Sequence, residues 1–303
     1  MELSDPSAPT AISLWKQAVH FYGEHSAGVA KTLLPPTVVA YMIAIFLQDQ
    51  MHALYGRVVT ENSALLMRRI GILGFERLMI PMQAVHLLKQ WCLWTAYCFA
   101  LIGICTLVAD LKNQTTDNGS VFTPIREHPG RFLKSATLFF GMLVIAFGMM
   151  MMIIFGITDV QIQIGLAVPR WESPLVGFIA IALVSAVLVR WIFAVPLTTL
   201  QGLRFRRALA ESDHMTDNRA LALWLLILES EVAGYLTLML PSWTLVYLNV
   251  PPTKFSYYAA DAIALVLSAM SQAPLMIAVG LVLAHWTASK TMNEAGSEMA
   301  QIG

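Results

Sequence analysis

Long apolar runs, each bounded by charged or polar residues, are the main pattern in this 303-residue chain. A helix that crosses a hydrocarbon core of about 30 Å needs about 20 mostly apolar residues. Six runs reach that length, and the pattern therefore predicts an all-α, polytopic integral membrane bundle with about six transmembrane helices. The predicted spans are Ala27–Leu47, Trp91–Ala109, Ser135–Ile157, about Pro174–Leu200, the stretch after Arg219 to about Leu248, and Ala262–Ala284.

Two other stretches have the spacing of amphipathic helices. Ala11–Glu24 carries Trp and Tyr on its apolar face, which favours a helix in the inner-leaflet interface; the alternative is a cytoplasmic helix packed on protein. Leu65–Leu88 is predicted to lie on the membrane surface because it holds four charged residues, with a re-entrant or spanning segment as the alternatives. The basic connections Asp110–Lys134 and Gln201–Arg219 are each expected to contain a short amphipathic helix.

The distribution of basic residues predicts the orientation. Six spans place both termini on one side, and that side carries twelve of the 19 Lys and Arg residues. Basic loops favour the cytoplasmic face, so both termini are predicted to be cytoplasmic. The expected division is a cytoplasmic N-terminus with the interfacial helix (1–26), a six-span domain (27–286) and a polar tail (287–303). The acidic, polar first ten residues do not resemble a signal peptide.

Composition supports a membrane protein and excludes several other classes. Hydrophobic residues make up 57% of the chain and charged residues 13%, whereas an ordinary soluble domain has about 45–50% and about 25%. So few charges cannot cover a water-exposed globule. The 19 basic residues balance 19 acidic ones, so the surplus of positive charge typical of a nucleic-acid partner is absent.

The sequence contains no recognised catalytic or cofactor motif. It has no phosphate-binding loop, nucleophile elbow or dinucleotide fingerprint. Cys92, Cys98 and Cys105 lie in one apolar run without a Cys-x-x-Cys pair, and the seven histidines have no paired ligand spacing. We therefore expect no catalytic residues, no metal and no cofactor, and the chain is not predicted to be an enzyme.

Glu229 and Glu231 are the least expected residues of the fifth span. A carboxylate at the bilayer centre costs about 2.5–3.5 kcal/mol, and somewhat less nearer the edge. The two side chains point about 200° apart around a helix. One interpretation is a proton or cation relay, or a contact with a substrate. The other is that one glutamate pairs with Arg190 while the second reaches the headgroups or is protonated.

The sixth span has a matching polar stripe. Asp261, Ser268 and Gln272 follow i, i+7, i+11, and Pro274 is expected to free a carbonyl near Met270. Broken helices with free backbone groups form the midplane sites of many transporters, but Gln272 also suits a plain interhelical hydrogen bond. The candidate intramembrane polar site comprises Glu229, Glu231, Arg190, Asp261 and Gln272.

Glycine spacing in the third span predicts a close helix contact. Gly141 and Gly148 are seven residues apart and share one helix face. Small residues on one face let a neighbouring backbone approach within a membrane. That face is therefore predicted to pack against another helix.

Several short motifs together resemble a known bacterial group. They are Ile12–Tyr22 before Leu33-Leu34-Pro35, then Val121–Leu133, then Arg190, Pro196 and Gly202 followed by Ala208-Leu209-x-x-Ser212-x-x-x-Thr216-x-x-Arg219, and Ala273-Pro274-Leu275. The chain resembles poorly characterised six-helix proteins similar to the membrane domain attached to some glycerophosphodiester phosphodiesterases. The resemblance implies an inner-membrane module of unknown molecular activity, without the separate hydrolase barrel. Ser212 and Thr216 are expected to cap or brace a helix.

These observations predict a non-enzymatic, multi-pass bacterial inner-membrane module that supports lipid or envelope processes or organises a membrane partner. The alternative is a small transporter or channel that uses the acidic and polar residues of spans five and six. Expected partners are membrane lipids and either a membrane protein or a second copy of the chain.

Overall fold

The computed structural model describes residues 11–60, 63–113, 120–163, 185–186, 188–217, 219–248 and 254–302. Within these ranges all regular secondary structure is helical, which confirms the predicted all-α class. The helices are α1 (Ala11–Thr60), α2 (Ser63–Asn113), α3 (Thr123–Glu127), α4 (Pro129–Gln163), α5 (Ala194–Leu200), α6 (Phe205–Thr216), α7 (Ala220–Tyr247), α8 (Lys254–Ser271) and α9 (Ala273–Ile302).

Five helical segments are long and apolar enough, by length and composition, to cross a membrane. They are Ile12–Gln50, Gln83–Lys112, Pro129–Gly148, Ala220–Pro241 and Ala259–Lys290. They coincide with the first, second, third, fifth and sixth predicted spans. The fourth predicted span is represented by the shorter apolar segment Leu188–Leu200, and residues 174–184 of it lie outside the described ranges.

Both predicted surface helices differ from expectation because each continues into the neighbouring span. Residues 11–24 form the start of α1, which runs on through Pro35 and Pro36. Residues 65–88 belong to α2, whose 51 residues extend for about 77 Å. No turn-forming sequence separates either stretch from its span, and so the helix continues beyond the length that a membrane requires.

The first part of α9 lies at the centre of the bundle. Most side chains from Ala273 to Leu283 are buried, and the helix packs against α1, α2 and α7. A Cβ at Gly280 would lie 3.1 Å from Val108 Cγ2 and 3.3 Å from the Cα of Cys105 in α2. The missing side chain of Gly280 therefore lets α9 and α2 approach closely.

Short helices close one end of the bundle. The predicted amphipathic helix within 201–219 is confirmed as α6, which buries Ala208, Ser212, Met215 and Thr216 against the core. The helix expected within 110–134 is confirmed as α3. The turn into α6 passes through Gly202, whose φ of 66° suits a residue without a side chain.

Candidate intramembrane site

Two of the five candidate residues lie in one cavity. Glu231 of α7 and Gln272, at the junction of α8 and α9, both line a cavity of about 390 Å³, called here the Glu231 cavity. Its other walls come from α2, α4 and the segment just before α5. The structure therefore brings the fifth and sixth predicted spans together at a polar site.

An aromatic wall faces these polar groups. Trp94 of α2 stacks on Tyr97 and on Phe139, with ring centroids 5.3 and 5.2 Å apart and small interplanar angles. All three rings line the Glu231 cavity. The indole Nε1 of Trp94 is buried and has no hydrogen-bond partner among the residues that the structure describes.

The polar lining of the Glu231 cavity is acidic. Glu231 supplies a carboxylate, Gln90 and Gln272 supply amides, and the remaining lining is aromatic or aliphatic. Within the described part of the chain, no Lys, Arg or His side chain lines this cavity. An apolar pocket with a few convergent polar groups is the usual form of a small-molecule site.

The polar stripes of α7 and α8 pack directly against each other beside this cavity. A Cβ at Gly234 would lie 3.5 Å from Ser268 Oγ and 3.9 Å from both Ser271 Oγ and Gln272 Nε2. The hydroxyls of Ser230 and Ser271 donate to carbonyls of their own helices. The α7–α8 contact itself is therefore packed, and the open space lies to one side of it.

The predicted break in the last span is confirmed. Helix α8 ends at Ser271 and α9 begins at Ala273. The N–H of Gln272 donates to the carbonyl of Ala269, and the carbonyl of Gln272 accepts from Met276 N–H. Pro274 cannot donate to the residue four positions earlier, which explains the break at this position. The break places Gln272 at a corner that faces the Glu231 cavity.

Glu229 lies away from the cavity. Its Oε1 accepts a hydrogen bond from Trp15 Nε1 of α1 at 3.0 Å. The divergence of Glu229 and Glu231 expected from their spacing is thus confirmed. Glu229 joins the N-terminal part of α1 to α7, where Leu14 and Ala18 are buried in the core.

Arg190 pairs with α6 instead of with a glutamate of α7, so the predicted Arg190–glutamate pair is wrong. Its guanidinium donates to Asp213 at 2.7 Å and lies 3.5 Å from Asp217, and all three side chains are about half exposed. Asp213 and Asp217 are one helical turn apart, so both face the same cation. The chain reverses direction after residue 200, which brings α6 back against Arg190. Helical spacing does not reveal this tertiary contact.

Asp261 is exposed on α8 and does not line the Glu231 cavity. It shares a helix face with Ser268, but seven residues separate the two by about 10 Å along the axis. Asp261 therefore lies near the beginning of the segment Ala259–Lys290 and does not join the candidate site.

Ser212 stabilises the interruption of the helix that follows Arg190. Its hydroxyl donates to the carbonyl of Arg190 at 2.7 Å and accepts the N–H of Phe193 at 3.2 Å. Thr216, one turn later, donates to the carbonyl of Asp213 at 2.8 Å. Both are fully buried. The expected bracing of this helix is confirmed for Thr216, whereas Ser212 supports the turn at residues 190–193 and not the end of its own helix.

In the described ranges, no three His, Cys, Asp or Glu side chains converge on a point that would hold a metal ion. Cys92, Cys98 and Cys105 are free thiols. The five long apolar helices indicate a multi-pass α-helical membrane protein. No protein-family model, curated protein or solved structure matches the chain.

Proposed function

We propose that this chain is a non-enzymatic, multi-pass membrane module that binds an amphipathic amine in the Glu231 cavity. The observation that carries the proposal is the carboxylate of Glu231 facing the aromatic wall of Trp94 and Tyr97 in one cavity. Such a module would support a lipid or envelope process by holding a membrane-soluble molecule, without transforming it.

The chemistry of the cavity favours a cation. Aromatic faces attract ammonium groups by about 0.5–2 kcal/mol, more as water is excluded. A carboxylate in the same cavity adds a charge-assisted hydrogen bond. The side-chain oxygen of Gln272 is an acceptor for a second N–H.

The depth of Glu231 in the proposed span favours a cationic ligand that also carries an apolar group. Glu231 lies midway along the candidate span Ala220–Pro241, about 16 Å from either end. A carboxylate at this depth is costly without a partner. A ligand that carries its own ammonium group into the bilayer, with an alkyl chain against Leu143 and Ile227, would supply that partner.

The test measures saturable binding of radiolabelled dodecylamine, whose ammonium group carries N–H donors, to the purified full chain in lipid nanodiscs. Glu231→Gln keeps the shape of the side chain but removes its charge. We expect this variant to bind the probe at least about tenfold more weakly, because one lost charge pair in a partly desolvated site is worth about 1.4 kcal/mol or more.

Glu229→Gln is the matched control. It makes the same change two residues away on the same helix, where Trp15 can still donate to the amide oxygen. Its affinity for the probe should equal that of the wild type. The proposal fails if the two variants bind alike, or if the wild type shows no saturable binding above empty nanodiscs.

A small transporter is the second candidate function, and the helix break at Gln272 favours it. Discontinuous helices beside a midplane cavity are a recurring transporter design. If the chain is a transporter, proteoliposomes that contain it should release trapped probe faster than protein-free vesicles loaded with the same probe. Proteoliposomes that contain Glu231→Gln should lose this additional release. A binding module would bind the probe without accelerating its release.

We also propose the bacterial inner membrane as the location, with six spans and both termini in the cytoplasm. The excess of basic residues on the termini side supports this orientation. The resemblance to the membrane domain of glycerophosphodiester phosphodiesterases supports six spans in the inner membrane. A fluorescent protein fused after Gly303 should mature, whereas a periplasm-dependent phosphatase fused there should be inactive. The opposite pair of results would contradict an even number of spans with a cytoplasmic N-terminus.

A further inference from the structure

A second, smaller cavity lies at one end of the bundle and is lined by basic side chains. Its volume is about 170 Å³, and its polar lining consists of Gln17, Lys112, Arg219 and His285. The rest of the wall is aliphatic, from Leu14 and two residues of α9. We call it the basic cavity. Four helices or helix ends, from α1, α2, α7 and α9, contribute to it.

The lining residues occupy the ends of the candidate spans. Lys112 ends the segment Gln83–Lys112, Arg219 directly precedes Ala220–Pro241, and His285 is near the end of Ala259–Lys290. Gln17 is close to the N-terminal end of α1. All four therefore lie at the level where a membrane's phosphate groups meet the hydrocarbon, on the same side as the termini.

Lys112 and Arg219 bring two positive charges to the basic cavity, and no Asp or Glu of the described residues is part of its lining. Arg219 Nε is buried and makes no hydrogen bond within the described ranges. Two cations beside one cavity repel each other, and a bound anion would offset that repulsion.

We propose that the basic cavity binds the phosphate group of an anionic ligand. Arg219 and Lys112 would donate charge-assisted hydrogen bonds to the phosphate oxygens, and Gln17 and His285 would add donors at the rim. Basic pockets between helices at the cytoplasmic membrane surface are typical sites for lipid headgroups. The aliphatic wall beside the cations suits the first carbons of a lipid, although a free phosphate would use the same donors.

The experiment compares the full chain with Arg219→Gln and Lys112→Gln in two arms. Native mass spectrometry after reconstitution with phosphatidylglycerol and phosphatidylcholine measures retained anionic lipid. In lipid-depleted detergent, inorganic phosphate is titrated against the thermal unfolding midpoint. We expect each variant to hold the phosphate group about tenfold more weakly, because a charged hydrogen bond contributes about 1.5–3 kcal/mol.

Arg206→Gln and Lys16→Gln are matched controls, since both residues are exposed and neither lines the basic cavity. Loss of retained phosphatidylglycerol in the cavity variants alone supports a lipid headgroup site. Loss of phosphate stabilisation with unchanged lipid retention supports a site for a soluble phosphate compound.

The proposal is overturned if cavity and control variants behave alike in both arms. If Arg219→Gln does not fold, Lys112→Gln decides alone, because Lys112 is exposed at the end of its segment. The site is independent of the Glu231 cavity, and Glu231→Gln should retain phosphate as the wild type does.

Discussion

Replacing Ser212 with alanine is expected to lower the free energy of unfolding by about 2–4 kcal/mol. The Ser212 hydroxyl satisfies two backbone groups at once, the carbonyl of Arg190 and the N–H of Phe193. Ser212 and Phe193 are both fully buried, so water cannot replace the lost hydrogen bond to the Phe193 N–H. Each buried group left without a partner costs about 1–3 kcal/mol.

Thermal unfolding of the purified protein in detergent measures this loss as a lower midpoint. Ser289→Ala is the control, because Ser289 is exposed and its hydroxyl also donates to a backbone carbonyl three residues earlier. That control should change the midpoint little. Equal midpoints for Ser212→Ala and the wild type would show that the turn at residues 190–193 does not depend on Ser212.

The helices themselves could be predicted because length and hydropathy are local properties of the chain. Five of the six predicted spans recur as long apolar helices, and the break at Gln272 follows from a proline whose effect is confined to one turn. The opposite directions of Glu229 and Glu231 also follow from helix geometry alone. Such features depend on residues within about one turn of one another.

The candidate site was predictable only in part because it depends on which helices are neighbours. Spacing separates Glu229 from Glu231 but does not show that one contacts Trp15 while the other lines a cavity. Arg190 binds Asp213 through a chain reversal that no helical period encodes. Trp94 gives no signal in the sequence, because its role arises from stacking on a ring of another helix, Phe139.

Glycine packing shows the same limit. Gly141 and Gly148 were predicted to face a neighbouring backbone, yet a Cβ at either would meet nothing within 4 Å in the described part of the molecule. The close contacts lie instead at Gly103 and Gly280 of α2 and α9. Spacing within one helix identifies a face of small residues, but it does not show whether another helix packs against that face.

Replacing Gly103 with valine should therefore be among the most damaging changes in the bundle. A Cβ there would lie 2.5 Å from Phe122 Cε1 and 2.6 Å from Thr32 Cγ2, both far inside van der Waals contact. Neither neighbour can move freely. Thr32 is buried and donates to the carbonyl of Gly28 at 2.9 Å, and the Phe122 ring packs on Phe99 at 4.6 Å. Overpacking of this kind costs about 2–3 kcal/mol.

Gly141→Val makes the same chemical change where the structure leaves open space, and it is expected to be nearly neutral, because valine and glycine differ little in helix propensity. The two variants are compared by their thermal midpoints in detergent and by the fraction that stays monodisperse after heating. A lower midpoint and a smaller monodisperse fraction in Gly103→Val alone would establish that α2 is packed tightly between α1 and the turn at residues 121–122. Equal losses at both positions would mean that valine disturbs any glycine of these helices and that the close contact at Gly103 contributes nothing specific.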